Sequence, residues 1–285
     1  MSTTQQFTQE IAEGERFEFG QNWSNFLHNL NDTRIHEAEK SLTNMLTLDE
    51  NKLANRTFLD AGSGSGLFSL AARRLGARVH SFDYDPQSVA CTNALKQRFF
   101  MDDPDWQIEH GSVLDQDYLQ SLGTFDYVYS WGVLHHTGEM WNALNNIHNL
   151  VNDNGFLFIA LYNDPGWKSK LWLLIKRTYN MLPAWLRTPY IFFVMVPREL
   201  RVFLRYLLKL RPQDYFAYWR NYNKKRGMNR WHDIVDWVGG YPFEVATFEE
   251  IVAFYKQHGF VLVNSIPRDG SGCNEFVFQR QVRNA

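Results

Sequence analysis

The string Leu59-Asp60-Ala61-Gly62-Ser63-Gly64-Ser65-Gly66-Leu67 holds the residue types closest to chemistry in this chain. Glycines let the backbone turn tightly and let a ligand approach the main chain closely. Asp83 follows 21 residues after Gly62, a spacing from which a carboxylate can accept hydrogen bonds from both ribose hydroxyls of a nucleoside. The third glycine falls one residue earlier than in the G-x-G-x-x-G of dinucleotide folds, which disfavours a nicotinamide oxidoreductase. No Gly-Lys-Ser/Thr follows, so the phosphate loop of nucleotide triphosphatases is absent. Taken alone, such a loop is also an ordinary tight turn of a doubly wound fold.

Two other groups carry titratable side chains. His135 and His136 fall after a strand-like run, Tyr127 to Trp131, where imidazole could take a proton near neutral pH. His136 would serve equally well to cap or pack the start of the next helix. Farther on, His232 and Asp233 sit among arginines, tryptophans and glycines and could form a base with an orienting carboxylate. Neighbours on a helix do not face each other, so a plain polar surface helix explains that pair as readily. No H-x₃-H pair or cysteine cluster occurs, and no metal site is expected. The two cysteines, Cys91 and Cys273, exclude a disulfide framework and suggest a reducing, cytoplasmic setting.

The elements that must position these residues follow from periodicity. Residues 57–162 alternate strand-like and helix-like runs: Thr57–Ala61, Leu67–Leu75, Arg78–Phe82, Gln87–Arg98 (opened by Asp85-Pro86), Trp106–Glu109, Tyr127–Trp131, Met140–Val151 and Phe156–Tyr162. A helix over Phe248–Gln257 and strands over Phe260–Ile266 and Glu275–Gln279 complete the series. This predicts an α/β fold with a mostly parallel sheet covered by helices on both faces. Three parts are expected: an N-terminal helical lid (1–50, with its helix at about Asn22–Met45), a core (51–163 and 246–285), and a helical insertion (164–245).

Charge separates the insertion from the core. The formal net charge is −2, yet residues 168–230 hold 15 basic and two acidic residues. An anionic partner for that part is one reading, and a solvated helical face the other. Leu200, Phe203, Leu204, Leu207 and Leu208 follow helical spacing, with Arg198, Arg201, Arg205 and Lys209 largely opposite. Packing of this stripe on the core is the simplest expectation; peripheral contact with an anionic membrane surface, or RNA bound through phosphates and stacking, are the sharper ones. The longest apolar run, Ile191–Val196 between Pro189 and Pro197, is far short of the roughly 20 residues that cross a bilayer. The N-terminus has neither the basic start nor the apolar segment of a secretory signal.

With the loop 60–66, Asp83 and the run from Phe125 to Asn163 in view, the chain resembles the class I S-adenosylmethionine-dependent methyltransferases over about residues 55–163 and 246–280. The arrangement is most similar to the small-molecule and ubiquinone-type O-methyltransferases. The resemblance implies a Rossmann-like seven-stranded sheet, S-adenosyl-L-methionine as cofactor and S-adenosyl-L-homocysteine as product. It implies that Gly62, Ser63 and Gly64 lie under the methionine and ribose, with Gly66 completing the loop. Asp60 would orient the loop or reach the methionine ammonium through water. Asp83 would clamp the ribose and Tyr84 lie beside the adenine. Ser112 and Val113 would stand at the adenine edge, where the family often has Asp in place of Ser112; Asp115 could substitute. Ser130 and Trp131 would flank the methionine chain. The lid and insertion would shape a pocket for a small-molecule, glycan-linked or lipid-linked anionic acceptor, methylated on oxygen or nitrogen. An RNA-modifying methyltransferase and a non-catalytic nucleoside-binding module are the alternatives.

Overall fold

A computed structural model describes residues 3–20, 23, 26–27, 30–47, 53–220 and 230–282, the side chain of His232 excepted. Among the described residues, helices α1 (Thr3–Ala12) and α2 (Asp32–Met45) precede the first strand, with helical residues also at Gly20, Trp23, Phe26 and Leu27. β1 (Thr57–Ala61), β2 (Arg78–Asp83), β3 (Trp106–His110), β4 (Phe125–Trp131) and β5 (Val151–Tyr162) run parallel, and β7 (Cys273–Arg280) inserts antiparallel between β5 and β6 (Phe260–Ile266). The seven strands lie in the order β3-β2-β1-β4-β5-β7-β6. The chain therefore winds outward from β1 in one direction and from β4 in the other. A crevice opens beyond the carboxyl ends of β1 and β4, the switch point where open α/β sheets take ligands.

Strand residues alternate between two apolar layers, as a period of two requires. Leu59, Val128, Leu157, Ile159, Phe276 and Phe278 face one layer, which includes α5 (Gln116–Leu122), α6 (Met140–Ile147) and α11 (Phe248–Gln257). Phe58, Tyr127, Tyr129, Phe158 and Val277 face the other, with α2, α3 (Leu67–Arg74) and α4 (Pro86–Phe99). Asp85 caps α4 by accepting from the Gln87 N–H, with Pro86 in the first turn, as its sequence announced. Among the described residues the insertion holds α7 (Trp167–Met181), α8 (Ala184–Leu208), α9 (Pro212–Arg220) and α10 (Arg230–Gly239). It has its own small core of Tyr179, Ile191, Met195, Ile234 and Val238.

The structure differs from several expectations. The helix expected over about Asn22–Met45 is interrupted: Trp23, Phe26 and Leu27 are helical, and a separate helix begins at Asp32, where the Asn31 side chain accepts from the Arg34 N–H; Asn22 lies outside the described residues. α1 is a helix that the polar run from Thr3 did not reveal. β5 starts five residues before Phe156, since Val151 already pairs with Phe125 and Asn154, at φ 61°, bends within the strand. Finally, α8 runs unbroken through Pro189 and Pro197, with both residues exposed. The stripe Leu200, Leu204, Leu207 and Leu208 on that helix faces outward instead of packing on the core; Phe203 alone turns partly inward, against Tyr215.

Candidate active site

The crevice at the switch point continues into a cavity of about 1280 Å³, closed over by the N-terminal segment and the insertion. Its strand-side wall is built from backbone. Gly62 takes φ +85°, and a Cβ there would fall 2.4 Å from Val133 Cγ1, so only glycine fits. The N–H groups of Gly62 and Ser63 both donate to the Phe82 carbonyl, at 2.8 and 3.1 Å, which pins the loop to the end of β2. Gly64 N–H donates to Asp83 Oδ2 at 2.8 Å, and Asp85 N–H to Asp83 Oδ1 at 2.9 Å. The Asp83 carboxylate is thus aimed before any ligand arrives and keeps lone pairs on both oxygens. Burial pushes its pKa up to about 6, against the lowering effect of the two N–H donors.

Asp60, at the end of β1, is almost fully buried and lines the same cavity. It accepts from the Ser69 hydroxyl, which is bonded to the Ser81 hydroxyl, which accepts from Trp106 Nε1 at 2.9 Å. Because Trp106 can only donate, every hydroxyl in this chain points its proton toward Asp60. Burial and the neighbouring Asp83 still raise the Asp60 pKa to about 7, with the Ser69 bond opposing. Two desolvated carboxyl groups side by side favour a ligand carrying positive charge and hydrogen-bond donors.

Tyr129, on β4, was not anticipated. Its hydroxyl is buried, lines the cavity and has no hydrogen-bond partner among the described residues. Burial and Asp60 hold its pKa well above the usual phenol range, so it remains a donor. A buried donor without a partner costs free energy unless a ligand supplies an acceptor. The alternation of Tyr127, Val128 and Tyr129 was the available signal, since it puts both tyrosines on one face.

The remaining strand-side residues sort by position. Ser63, Tyr84, Ser112, Val113, Asp115 and Trp131 line the cavity. Tyr84 stacks on His110, receives the Arg16 guanidinium over its ring at 4.8 Å and donates to Glu10 Oε1 at 3.1 Å, so α1 lies across it. Ser112 Oγ accepts from Leu114 N–H, and Asp115 caps α5. Two residues of the expected set do not reach the cavity. Ser130 is turned to the Ala61 carbonyl at 2.8 Å. Gly66 precedes α3, where a Cβ would meet Thr92 Cα at 2.8 Å, so its lack of a side chain serves the approach of α3 to α4.

The opposite wall is made of rings and cations. His135 and His136 lie on the short turn Leu134–His136 with ring centroids 4.4 Å apart. His136 Nδ1 lies 2.6 Å from the Pro242 carbonyl, so Nδ1 carries the proton and Nε2 offers its lone pair. Burial, then Lys176 and Arg16, lower its pKa to about 3. His136 therefore stays neutral and holds a proton poorly. His135 is buried and accepts from the Tyr162 N–H, and burial, with His136 and Lys176 nearby, holds its pKa well below the usual imidazole range. Lys176, on α7, is buried against the cavity and donates to the Trp237 carbonyl at 2.7 Å, with Phe243 5.0 Å from its ammonium. Burial brings its pKa down to about 7, partly offset by Asp236. Arg198 lies over Trp237 at 4.6 Å, and Trp172, Asp233 and Asp236 complete the wall.

Asp233 is thus at the cavity, whereas the side chain of its partner His232 lies outside the described residues. Lys176 was missed, although its spacing of four from Trp172 put it on one helical face with that ring. No group of three or more His, Cys, Asp or Glu among the described residues could hold a metal ion.

Comparison with known proteins adds a family and a shared fold. Residues 30–245 match a family described as a methyltransferase domain. The ubiquinone biosynthesis O-methyltransferase of Pelagibacter ubique is 27% identical over 141 residues, which are 48% of this chain and 55% of that protein. The chain thus spans about half the length of the relative it matches. Magnesium protoporphyrin IX methyltransferase from Synechocystis PCC 6803, solved with bound SAH, superposes with a TM-score of 0.50 at 13% identity, covering 87% of this chain and 83% of that one. An O-methyltransferase family protein from Burkholderia thailandensis gives a TM-score of 0.54 at 14% identity, covering 96% and 67%. At such identities these structures establish the shared fold.

Proposed function

The chain belongs to the methyltransferase domain family, and from that premise we propose that it transfers a methyl group from S-adenosylmethionine to a hydroxyl oxygen of a ring-bearing, negatively charged small molecule. The observation that carries this reading is the opposed character of the two cavity walls. On the strand side, Asp60 and Asp83 are ionisable carboxyls raised to about 7 and about 6 beside a glycine bend. On the insertion side, Trp172, Trp237 and Phe243 surround Lys176 and Arg198.

The residues fit the donor. Gly62 and Gly64 take φ +85° and +54°, with Val133 and Trp23 packed where a Cβ would stand, and so hold the backbone bend against which the donor would lie. Asp83 accepts from the ribose hydroxyls, with Tyr84 along the base. Asp60 draws the amino group, and the Tyr129 hydroxyl donates to the carboxylate of the same amino acid. When bound, the donor supplies an activated methyl group and its own leaving group. The chain then has to hold an acceptor oxygen in line, exclude water and receive a proton.

Lys176 fits that last task better than His136. Near neutral pH a lysine with a pKa of about 7 is substantially neutral and can take the hydroxyl proton as the oxygen attacks. Asp236 stabilises the ammonium so formed. His136, at about 3, keeps its Nε2 lone pair as a hydrogen-bond acceptor that orients the hydroxyl. Arg198 offers charge to an anionic group of the acceptor.

The test is incubation of the purified chain with methyl-labelled donor and fractionated metabolites, lipid extracts and total RNA, followed by mass spectrometry. Label on the oxygen of an aromatic or lipid-linked acid is expected. Label on RNA or on nitrogen would overturn the acceptor class. Tight donor binding with no transfer to any fraction would favour the nucleoside-binding module.

A further inference from the structure

Among the described residues of the insertion, the outer face of α8 carries the largest run of uncovered apolar side chains. Trp185, Phe193 and Leu208 are 75%, 79% and 84% exposed. With Val196, Leu200 and Leu204 they recur at helical spacing along one side. The run from Trp185 to Leu208 is about 35 Å long at about 1.5 Å per residue. The opposite side of the helix is already satisfied, because Ile191 and Met195 pack on Tyr179, Ile234 and Val238. The apolar outer row is therefore surplus to the fold.

Charge identifies what covers it. Arg201, Arg205, Lys209 and Arg211 are exposed beside the leucine row. Arg201, Arg205 and Lys209 have no ion pair among the described residues, and Arg211 has only Asp214 at 3.8 Å. Between residues 183 and 211 Glu199 is the single acidic residue, and it is tied inward to Arg230 and to the Tyr215 hydroxyl. A second copy of this face would bring its cations against the same cations with no acid to complement them. No described helix is long and apolar enough to cross a membrane. An amphipathic helix with a basic edge and aromatic and leucine side chains lies in the plane of an anionic bilayer surface, buried to the depth of its apolar row.

We propose that α8 docks this protein on the headgroup region of an anionic phospholipid bilayer, with Trp185, Phe193, Leu200, Leu204 and Leu208 entering the interface and Arg201 and Arg205 meeting lipid phosphates. The inner sides of α7 and α8 supply Lys176 and Arg198 to the cavity, so the acceptor wall sits directly behind the docked face. The docking stands on the outer surface alone and does not depend on the methyltransferase reading.

The test is flotation of the full chain with vesicles of phosphatidylcholine alone and of phosphatidylcholine mixed with phosphatidylglycerol. Partition onto the anionic vesicles at least tenfold above the neutral ones is expected, weakening as salt rises. The double variant Phe193→Glu with Leu208→Glu, at positions too exposed to unfold the chain, should lose that partition at least tenfold. Arg201→Glu with Arg205→Glu should remove the preference for anionic lipid, and Met101→Glu, on an exposed site of the core, should change nothing. Equal partition onto both vesicle types, or none onto either, overturns the proposal. So does a concentration-dependent dimer in sedimentation velocity that Phe193→Glu with Leu208→Glu abolishes while leaving flotation intact, because the occupant is then a second copy.

Discussion

The two walls of the cavity are built by different means. On the strand side, polar groups are fixed by nearby backbone: Asp83 takes N–H groups from Gly64 and Asp85, and the Gly62–Ser63 bend hangs on the Phe82 carbonyl. On the insertion side, polar groups are fixed across long stretches of chain. Lys176 reaches a carbonyl 61 residues on, and Arg16 donates to the His136 carbonyl 120 residues away. The first wall is acidic and preset by a local turn; the second sets Lys176 and Arg198 beside Asp233 and Asp236 among rings, and exists only once lid, core and insertion have met. The contrast separates a site for a cationic donor from a site for a charged acceptor, and each part can be tested alone.

The largest effect is expected on the insertion side. Lys176→Met should lower kcat at saturating donor by about 100-fold if Lys176 takes the proton, while the donor dissociation constant stays within about twofold. It should also remove the limb of the pH–rate profile near 7, along which the wild type gains activity as pH rises and Lys176 loses its proton. A limb that persists in the variant places the proton elsewhere.

Next comes Asp83→Ala, which removes acceptors for two ribose hydroxyls and should weaken donor binding roughly 10- to 100-fold. Turnover at saturating donor should change little. A variant with normal donor affinity would remove the ribose clamp from the account.

A smaller effect follows from pH on the donor side. Asp60 and Asp83 have raised pKa values in the folded chain, about 7 and about 6. Both are ionised above that window and protonated below it. Affinity for a positively charged donor should therefore drop about tenfold as pH falls from about 8 to about 5.5. The same shifts act on stability with the opposite sign. The ligand-free fold retains protons that the unfolded chain releases between 3.8 and about 7, so it loses stability as pH rises through that interval. Thermal melts with and without donor measure both trends.

Tyr129→Phe deletes one unpartnered hydroxyl and should cost about fivefold in donor affinity, near 1 kcal/mol, with no loss of stability in the free chain. The smallest effect is on the Lys176→Met fold itself. Because the Lys176 pKa falls from 10.5 to about 7 on folding, the native chain gains stability as pH rises through that window and carries the full burden of the buried ammonium below it. The variant lifts that burden and should melt a few degrees higher below pH 7, a gain on the order of 1 kcal/mol.

The same contrast explains what could be read from residues alone. The seven strands, the mostly parallel sense of the sheet and the glycine bend were legible because each rests on a period of two, a cap or a turn written in a few consecutive residues. Asp83 was legible for the same reason, at a fixed distance from the loop. Lys176 was hidden because its meaning depends on Trp237 and Phe243, which only the folded insertion brings near. Tyr129 looked like any core ring, and its missing partner is visible only in three dimensions. The leucine row on α8 was read as inward since burial of apolar surface is the commonest outcome. Ile191 and Met195, one turn or two earlier, had already claimed the inward side, which left the leucines outside. Ser130 was misplaced by its position at a strand tip, where a single hydrogen bond to Ala61 decides its direction.

Calorimetric titration of the intact chain with S-adenosylmethionine at pH 8, beside the same titration of Asp83→Ala and a titration with NAD, decides whether the crevice beyond β1 and β4 is a methyl-donor site gripped by Asp83. One saturable site for the methyl donor, weakened at least tenfold by the substitution and absent for NAD, is the predicted result. No heat with the methyl donor, equal heat in the variant, or a site that prefers NAD would contradict it.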